Sequence, residues 1–280
     1  MKYPEILSIR PEPTIFAYDA DFTILYALAL GAGGAPGELK FVYEKDLVAL
    51  PTMAVLMAGG SSDFISKGGI DYSRIVHGEQ RLAIHRPIPP AGRMVSRSRL
   101  LGVVDKGRDK GALLLIESTI AGQEDGLYYA TSTMTLFCRG DGGFGGSPEG
   151  DLPLAPIPDR TPDLEIALPT LPQQAALYRL TGDRNPLHID PALAAKVGFP
   201  GPILHGLCSY GIAARAIIRN CCDNDPDRIA GLDVRFSGPV FPGEAITTRI
   251  WRDGNRLSFD AVVAERGATV LRNGLCRLAA

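Results

Sequence analysis

The sequence predicts an α+β fold of the double hot dog kind: two antiparallel sheets, each wrapped around a helix, as a tandem duplication in one chain. Three observations predict it. The same order of short motifs occurs twice, a loose glycine- and proline-rich stretch separates the two occurrences, and each half closes in strand-like segments bounded by glycine turns. The boundaries are a first half over 1–150, a linker over 151–172 and a second half over 173–280.

The first half shows a helix-like run at Leu25-Tyr26-Ala27-Leu28, then Ile75-Val76-His77-Gly78, then the turn Pro87-Ile88-Pro89-Pro90-Ala91-Gly92. Strand-like segments follow at 94–104, 112–121 and 127–137, rich in Val, Ile, Leu and Thr and separated by Asp-Lys-Gly and Glu-Asp-Gly turns. The stretch 139–150 is glycine-rich and reads as a bend. Across 152–172 proline recurs so often that neither a helix nor a central strand can run through it. The second half repeats the order with Leu177-Tyr178-Arg179-Leu180, Ile203-Leu204-His205-Gly206 and Pro239-Val240-Phe241-Pro242-Gly243. Its strands are expected at 245–251, 257–264 and 269–277. The best helix spans 204–219, apolar nearly all round and basic only at its end, the pattern of a buried helix.

Composition narrows the function classes. The 280 residues, 45% hydrophobic and 21% charged, are a globular mixture with enough chain to bury a core. Twenty-nine Lys and Arg against 31 Asp and Glu give a net charge of -2, so no basic field points to nucleic acid. The longest weakly polar run, 22–36, is shorter than the roughly 20 residues that span a bilayer. Five cysteines without a CxxC pair, and termini without a leader or address, set the expectation of a cytoplasmic protein in a reducing compartment with no membrane partner.

The densest polar motif is Thr181-Gly182-Asp183-Arg184-Asn185-Pro186-Leu187-His188-Ile189-Asp190. A helix over 173–180 can end at Gly182, and Pro186 drives Asn185 out of the α region. The backbone therefore bends, and two side chains five residues apart can face one spot. A carboxylate and an imidazole that converge hold and polarise a water. The same residues also make a plain turn, with Asp183 capping a helix that Pro186 opens. A second motif, Gly201-Pro202-Ile203-Leu204-His205-Gly206, leads into the buried helix. Helix N-terminal amides lack internal partners, so the Gly206 N–H is a candidate donor to an anionic oxygen. Close packing of helix on sheet would also explain this glycine, and His205 reads as a buried, hydrogen-bonded structural imidazole, with a ligand or nucleophile as the alternative.

The segment Tyr178–Pro191, which contains the first motif, followed by Pro202-Ile203-Leu204-His205-Gly206, with Val76-His77-Gly78-Glu79-Gln80, the run 136–146 ending Gly-Gly-Phe-Gly-Gly, and Asp233-Val234-Arg235-Phe236 followed by Pro239-Val240, resembles the MaoC-like hydratases. The likeness is greatest to the hydratase 2 group, the (R)-specific trans-2-enoyl-CoA hydratases, and covers most of the chain. It implies a double hot dog, an acyl-CoA substrate, no metal or redox cofactor and a homodimer. It implies syn addition of water, giving (3R)-3-hydroxyacyl-CoA in fatty-acid metabolism and β-oxidation. In that picture Asp183 and His188 hold the water, Asn185 orients them, and Gly206 receives charge from the thioester oxygen. Substrate contacts are implied at His77, Gly78, Lys106 and Phe236, and at the motif residues Arg184, Asn185, Pro186 and Leu187. The first half, without the Asp-x-Asn-Pro-x-His motif, becomes the noncatalytic half that binds acyl chain and coenzyme A. Gly59, Gly60, Ser61, Ser62 and Phe64 would form its wall.

A local cationic stretch, Arg93, Arg97, Arg99, Lys106, Arg108 and Lys110, offers a phosphate contact, above all at Lys106; the alternative is a solvated hairpin. Rival activities are dehydration of carrier-protein-bound 3-hydroxyacyl groups and hydrolysis of the thioester.

Overall fold

Runs rich in β-branched and long apolar residues, several of them stopped by a glycine turn, pair into a single antiparallel sheet in the computed structural model, which describes residues 1–279. Its strands are β1 (Thr14–Tyr18), β2 (Ile75–Ile84), β3 (Gly92–Asp105), β4 (Ala112–Gly122), β5 (Tyr128–Cys138), β6 (Leu164–Pro169), β7 (Ile229–Phe236), β8 (Ala245–Asp253), β9 (Arg256–Val263) and β10 (Ala268–Leu278). The order across the sheet is β1-β3-β4-β5-β2-β7-β10-β9-β8-β6. Each half contributes five strands, and the second five repeat the first five in reverse spatial order. The duplication is therefore a double hot dog. Its two sheets are fused edge to edge along β2 and β7, where Gln80 faces Val234 and Glu79 faces Arg235.

Three features depart from the sequence reading. His77-Gly78 lies inside β2 and not at the start of a helix, so it is no counterpart of His205-Gly206; β2 corresponds to β7. The 151–172 stretch is not all linker, because β6 pairs with β8 along the outer edge, Leu164 to Ile250 through Pro169 to Ala245. Edge placement is what lets a strand end at a proline. The glycine-rich run also does more than bend. It folds back over the β3–β4 turn, where the Asp105 carboxylate accepts N–H bonds from Gly107 (2.9 Å), Gly143 (2.7 Å) and Gly145 (2.9 Å). A side chain at Gly142 would begin 2.1 Å from the Gly107 carbonyl oxygen, which explains the glycine.

The helices of both halves pack on this sheet, the longest against β6, β7 and β8. They are α1 (Ala20–Ala29), α2 (Ala54–Met57), α3 (Ser61–Lys67), α4 (Gln174–Tyr178), α5 (Pro191–Lys196) and α6 (Gly206–Cys221). Helix α6 is buried along almost its whole length, including its one mid-helix charge, Arg215. Arg215 forms a two-pronged pair with Glu38 of the first half, Nε to Oε1 at 2.6 Å and a second guanidinium nitrogen to Oε2 at 3.0 Å. The helix is thus not basic at its end alone. The first half has no long counterpart to α6; α2 and α3 replace it, separated at Gly59-Gly60. Gly60 has φ of 81°, and a side chain at Gly59 would begin 2.0 Å from Thr14 Oγ1. Among the described residues no helix is long and apolar enough to cross a membrane.

Candidate active site

Helix α4 runs into a 3-10 turn at Arg179–Thr181, and Gly182, at φ of 130°, turns the chain out of it. Asn185, at φ of −53° and ψ of 123°, is extended as its following proline requires. A second 3-10 turn follows at Pro186–His188. Its cap is Asn185, whose Oδ1 accepts from Leu187 N at 3.0 Å. Asp183 therefore caps no helix; its carboxylate accepts from Asn185 N at 3.0 Å. Asp190 then caps α5 through Ala192 N. Two successive side-chain-capped turns bring His188 inward, to 8% exposure, and leave Asp183 at the opening.

The hydrogen bonds fix the histidine tautomers. His188 Nδ1 lies 2.8 Å from the Ile203 carbonyl oxygen, which only accepts, so Nδ1 carries the proton and Nε2 the lone pair. His205 Nε2 lies 3.2 Å from the Asp183 carbonyl oxygen and donates to it for the same reason. The two imidazoles stack, with centroids 3.7 Å apart and planes at 28°. One carboxylate oxygen of Asp183, one ring nitrogen of His188 and one of His205 lie within 4.8 Å of one another. Burial lowers the pKa of His188, opposed by its bond to Ile203 and the charge of Asp183. Burial and then the neighbouring His188 lower that of His205. Both rings are therefore neutral near pH 7, and His188 is poised as a base. The trio is a poor metal centre. A ligand lone pair lies in the ring plane about 2.0–2.1 Å from a zinc-like ion, and near-parallel rings 3.7 Å apart cannot share one.

Gly206 opens α6 directly after His205, and its N–H has no intrahelical acceptor. A side chain there would begin 3.2 Å from the Phe236 ring. Phe236 ends β7 and meets His77 of β2 edge-on, with centroids 4.9 Å apart. Gly78 sits at a bulge between β2 and β5, next to His77, whose Nε2 lies 3.1 Å from the Glu79 carbonyl oxygen. Burial pushes the His77 pKa down to about 4, and the charge of Asp183 opposes it, which puts His77 within electrostatic reach of the motif. The opening is thus walled by the end of the β2–β7 seam on one side and by the motif and the α6 N-terminus on the other. His188 also borders an apolar groove of about 380 Å³ with Ala175, Ala176, Ile189, Pro202 and Phe241.

The remaining expected contacts lie apart from this cluster. Arg184 and Pro186 are exposed on the rim and Leu187 is half-buried. Lys106 sits in the β3–β4 turn, paired with Asp151 at 3.0 Å. It lines a groove of about 620 Å³ with Arg74, Lys110, Leu113, Phe137 and Arg139. Phe137 pairs with Val76, so the groove opens at the same end of β2 as His77. The sequence reading preferred a structural imidazole for His205 over a ligand or nucleophile, and gave Tyr178 no role in the site. Tyr178, five residues before Asp183, is fully buried against His205, with centroids 4.9 Å apart. Its traces in the sequence were its place in the repeated helical motif and at the start of the segment that carries the family resemblance.

Residues 16–140 match the MFE-2 hydratase 2 N-terminal domain and residues 153–273 match the MaoC like domain. The chain is 39% identical over 277 residues to enoyl-CoA hydratase ChsH3 of Mycobacterium tuberculosis, covering 96% of each. It is 38% identical to the peroxisomal enoyl-CoA hydratase 2 of Arabidopsis thaliana, covering 95% of this chain and 92% of that one. Among solved structures, a MaoC-like dehydratase from Phytophthora capsici superposes with a TM-score of 0.89 at 35% identity, covering 100% and 99% of the two chains.

Proposed function

The chain belongs to the MaoC-like hydratases, in their hydratase 2 group, and from that premise we propose that it is a hydro-lyase adding water reversibly and syn to trans-2-enoyl-CoA, giving (3R)-3-hydroxyacyl-CoA. The observation that supports the reading is the Asp183 carboxylate and the His188 ring within 4.8 Å of each other, with the His188 lone pair at Nε2 and α6 starting directly after His205.

A water between Asp183 and His188 gives a proton to His188 Nε2 as its oxygen bonds to C3. The C2=C3 π electrons move toward the thioester, whose oxygen gains charge and accepts from the Gly206 N–H. The same side of the site then returns a proton to C2, so that H and OH are added to one face. Losing a donor of the Gly206 kind typically costs roughly 2.7–4 kcal/mol in the barrier, and a positioned acid–base group contributes about 10²–10⁴-fold.

The neighbourhood supports the coenzyme A placement. Lys106, Lys110, Arg74 and Arg139, with one acid, Asp109, line a groove of net positive charge at the His77 end of β2. The partly exposed Lys106–Asp151 pair is weak enough for a phosphate to displace it. The first half, whose helix is broken at Gly59-Gly60, is the proposed place for the acyl chain. Catalysis needs no metal or redox cofactor on this reading, so turnover should survive dialysis against EDTA. A homodimer and a cytoplasmic location complete the proposal, the latter in contrast to the peroxisomal Arabidopsis relative; light scattering and fluorescent tagging test them. Hydration of crotonyl-CoA, followed by loss of the conjugated enoyl absorbance, tests the activity. Asp183→Asn and His188→Gln should each lower kcat by at least about 100-fold. Near-wild-type rates in either would overturn the assignment, and free thiol release from a saturated acyl-CoA would point to a thioesterase.

A further inference from the structure

Among the described residues three buried polar atoms beside the site have no protein partner, Arg179 Nε, the Tyr178 hydroxyl and His205 Nδ1, and the last two belong to rings in contact and are chemically complementary. Tyr178 is wholly buried and His205 is 1% exposed. His205 donates its only N–H, at Nε2, to the Asp183 carbonyl, so Nδ1 is an acceptor. The phenol is a donor, and its ring touches that of His205 at 4.9 Å. A buried polar group left unmet is costly, and one bond would satisfy both.

We propose that the Tyr178 hydroxyl donates to His205 Nδ1, across at most one shared water, and that this bond makes His205 a positioning residue for the Asp183–His188 pair. His205 is suited to that part because a single ring touches every component. It lies flat against His188, holds the Asp183 main chain through Nε2–H, and immediately precedes Gly206. The Asp183 carbonyl, which only accepts, fixes the tautomer, and the Tyr178 bond at Nδ1 holds the ring in the orientation that keeps Nε2–H on that carbonyl. Helix α4, which carries Tyr178, thus sets the motif from behind. The Tyr26 ring supports Tyr178 from the far side at 6.2 Å, and Tyr26 spends its own hydroxyl on Thr52 Oγ1.

The proposal rests on the hydratase reading, and its test separates the two. Tyr178→Phe keeps the ring and removes only the hydroxyl. With crotonyl-CoA it should lower kcat about tenfold and leave KM within about twofold, the mark of a displaced reacting group. In a His205→Phe background, which keeps the stack and loses the bonds, adding Tyr178→Phe should cost less than about twofold, because the hydroxyl has nothing left to act through. His205→Gln, which can still donate to the Asp183 carbonyl, should retain more kcat than His205→Phe. Equal losses from Tyr178→Phe in both backgrounds, no loss in the first, or equal activity of the Gln and Phe variants would overturn the proposal. A second readout needs no turnover. In ¹⁵N-histidine spectra the His205 Nδ1 resonance should lie on the hydrogen-bonded side of a free imine nitrogen and move toward the free position in Tyr178→Phe. An unmoved resonance would reject the bond even in an active enzyme. Absent hydration by the wild-type chain would instead reject the hydratase reading and leave the spectra to decide the bond.

Discussion

At the scale of the residue, protonation sets the working range. His188 must be neutral to accept a proton, and burial, only partly opposed by its bond to Ile203 and by Asp183, holds its pKa below the ordinary histidine value. The acid limb of kcat/KM should therefore lie below about 6.5, with activity flat as pH falls through that value. A limb at or above it, in a pH profile with crotonyl-CoA, would contradict a buried neutral base. The Asp183 and His188 positions were legible in the sequence because glycine, proline and asparagine dictate local backbone shape, and the bend follows from them. The helix cap was misread onto Asp183, since cap propensity is nearly the same for Asp and Asn and only the turn geometry chooses. The roles of His205 and Tyr178 were not legible. A stacked ring and an unmet hydroxyl depend on neighbours 17 and 27 positions apart along the chain, which no local pattern encodes.

At the scale of the element, α6 is held by a charge as well as by its apolar faces. Arg215 and Glu38 are both buried, and Glu38 also accepts from Gly33 N and Ala35 N. Burial would raise the Glu38 pKa, yet the Arg215 bonds and charge outweigh it and hold the pKa below the usual carboxylate value. The pair therefore stabilises the fold above the unfolded carboxylate value of about 4.3 and loses that contribution as pH falls through the folded one. Arg215→Met should destabilise the protein by roughly 1.5–3 kcal/mol in urea unfolding, because it removes two charged hydrogen bonds from a buried carboxylate and leaves it Arg219, at 3.7 Å, and two backbone amides. Adding Glu38→Leu should recover much of the loss. The strands after each Pro-Gly turn were readable from β-branched content and glycine punctuation. β6 was not, because five prolines between 156 and 172 mask a six-residue edge strand. The mid-helix Arg215 was hidden for another reason: a lone charge in an apolar helix carries no sign of its partner 177 positions away.

At the scale of the molecule, two halves share one sheet and are tied by a strap that crosses the seam. Arg81 of β2 donates to the Leu152 carbonyl, and Asn273 of β10 donates to Ala155 O at 3.0 Å. Neither contact interrupts the β2–β7 ladder, which runs from Glu79–Arg235 to Ala83–Gly231. A cut engineered at 157–159 should therefore leave the halves associated and active, as gel filtration and crotonyl-CoA turnover would report; separation of the two fragments would show that the strap, and not the seam, joins them. The duplication was visible in the order of motifs, but the seam was not, since periodicity identifies strands and not their distant partners. That seam has an operational meaning. His77 and Phe236 stand where its ladder stops, so the reactive opening is hinged on the last rungs of the central pairing. Frayed rungs would splay the pocket while the outer strands stay zipped. Warming should accordingly extinguish turnover before it erodes ellipticity, and the catalyst should fail at its middle first.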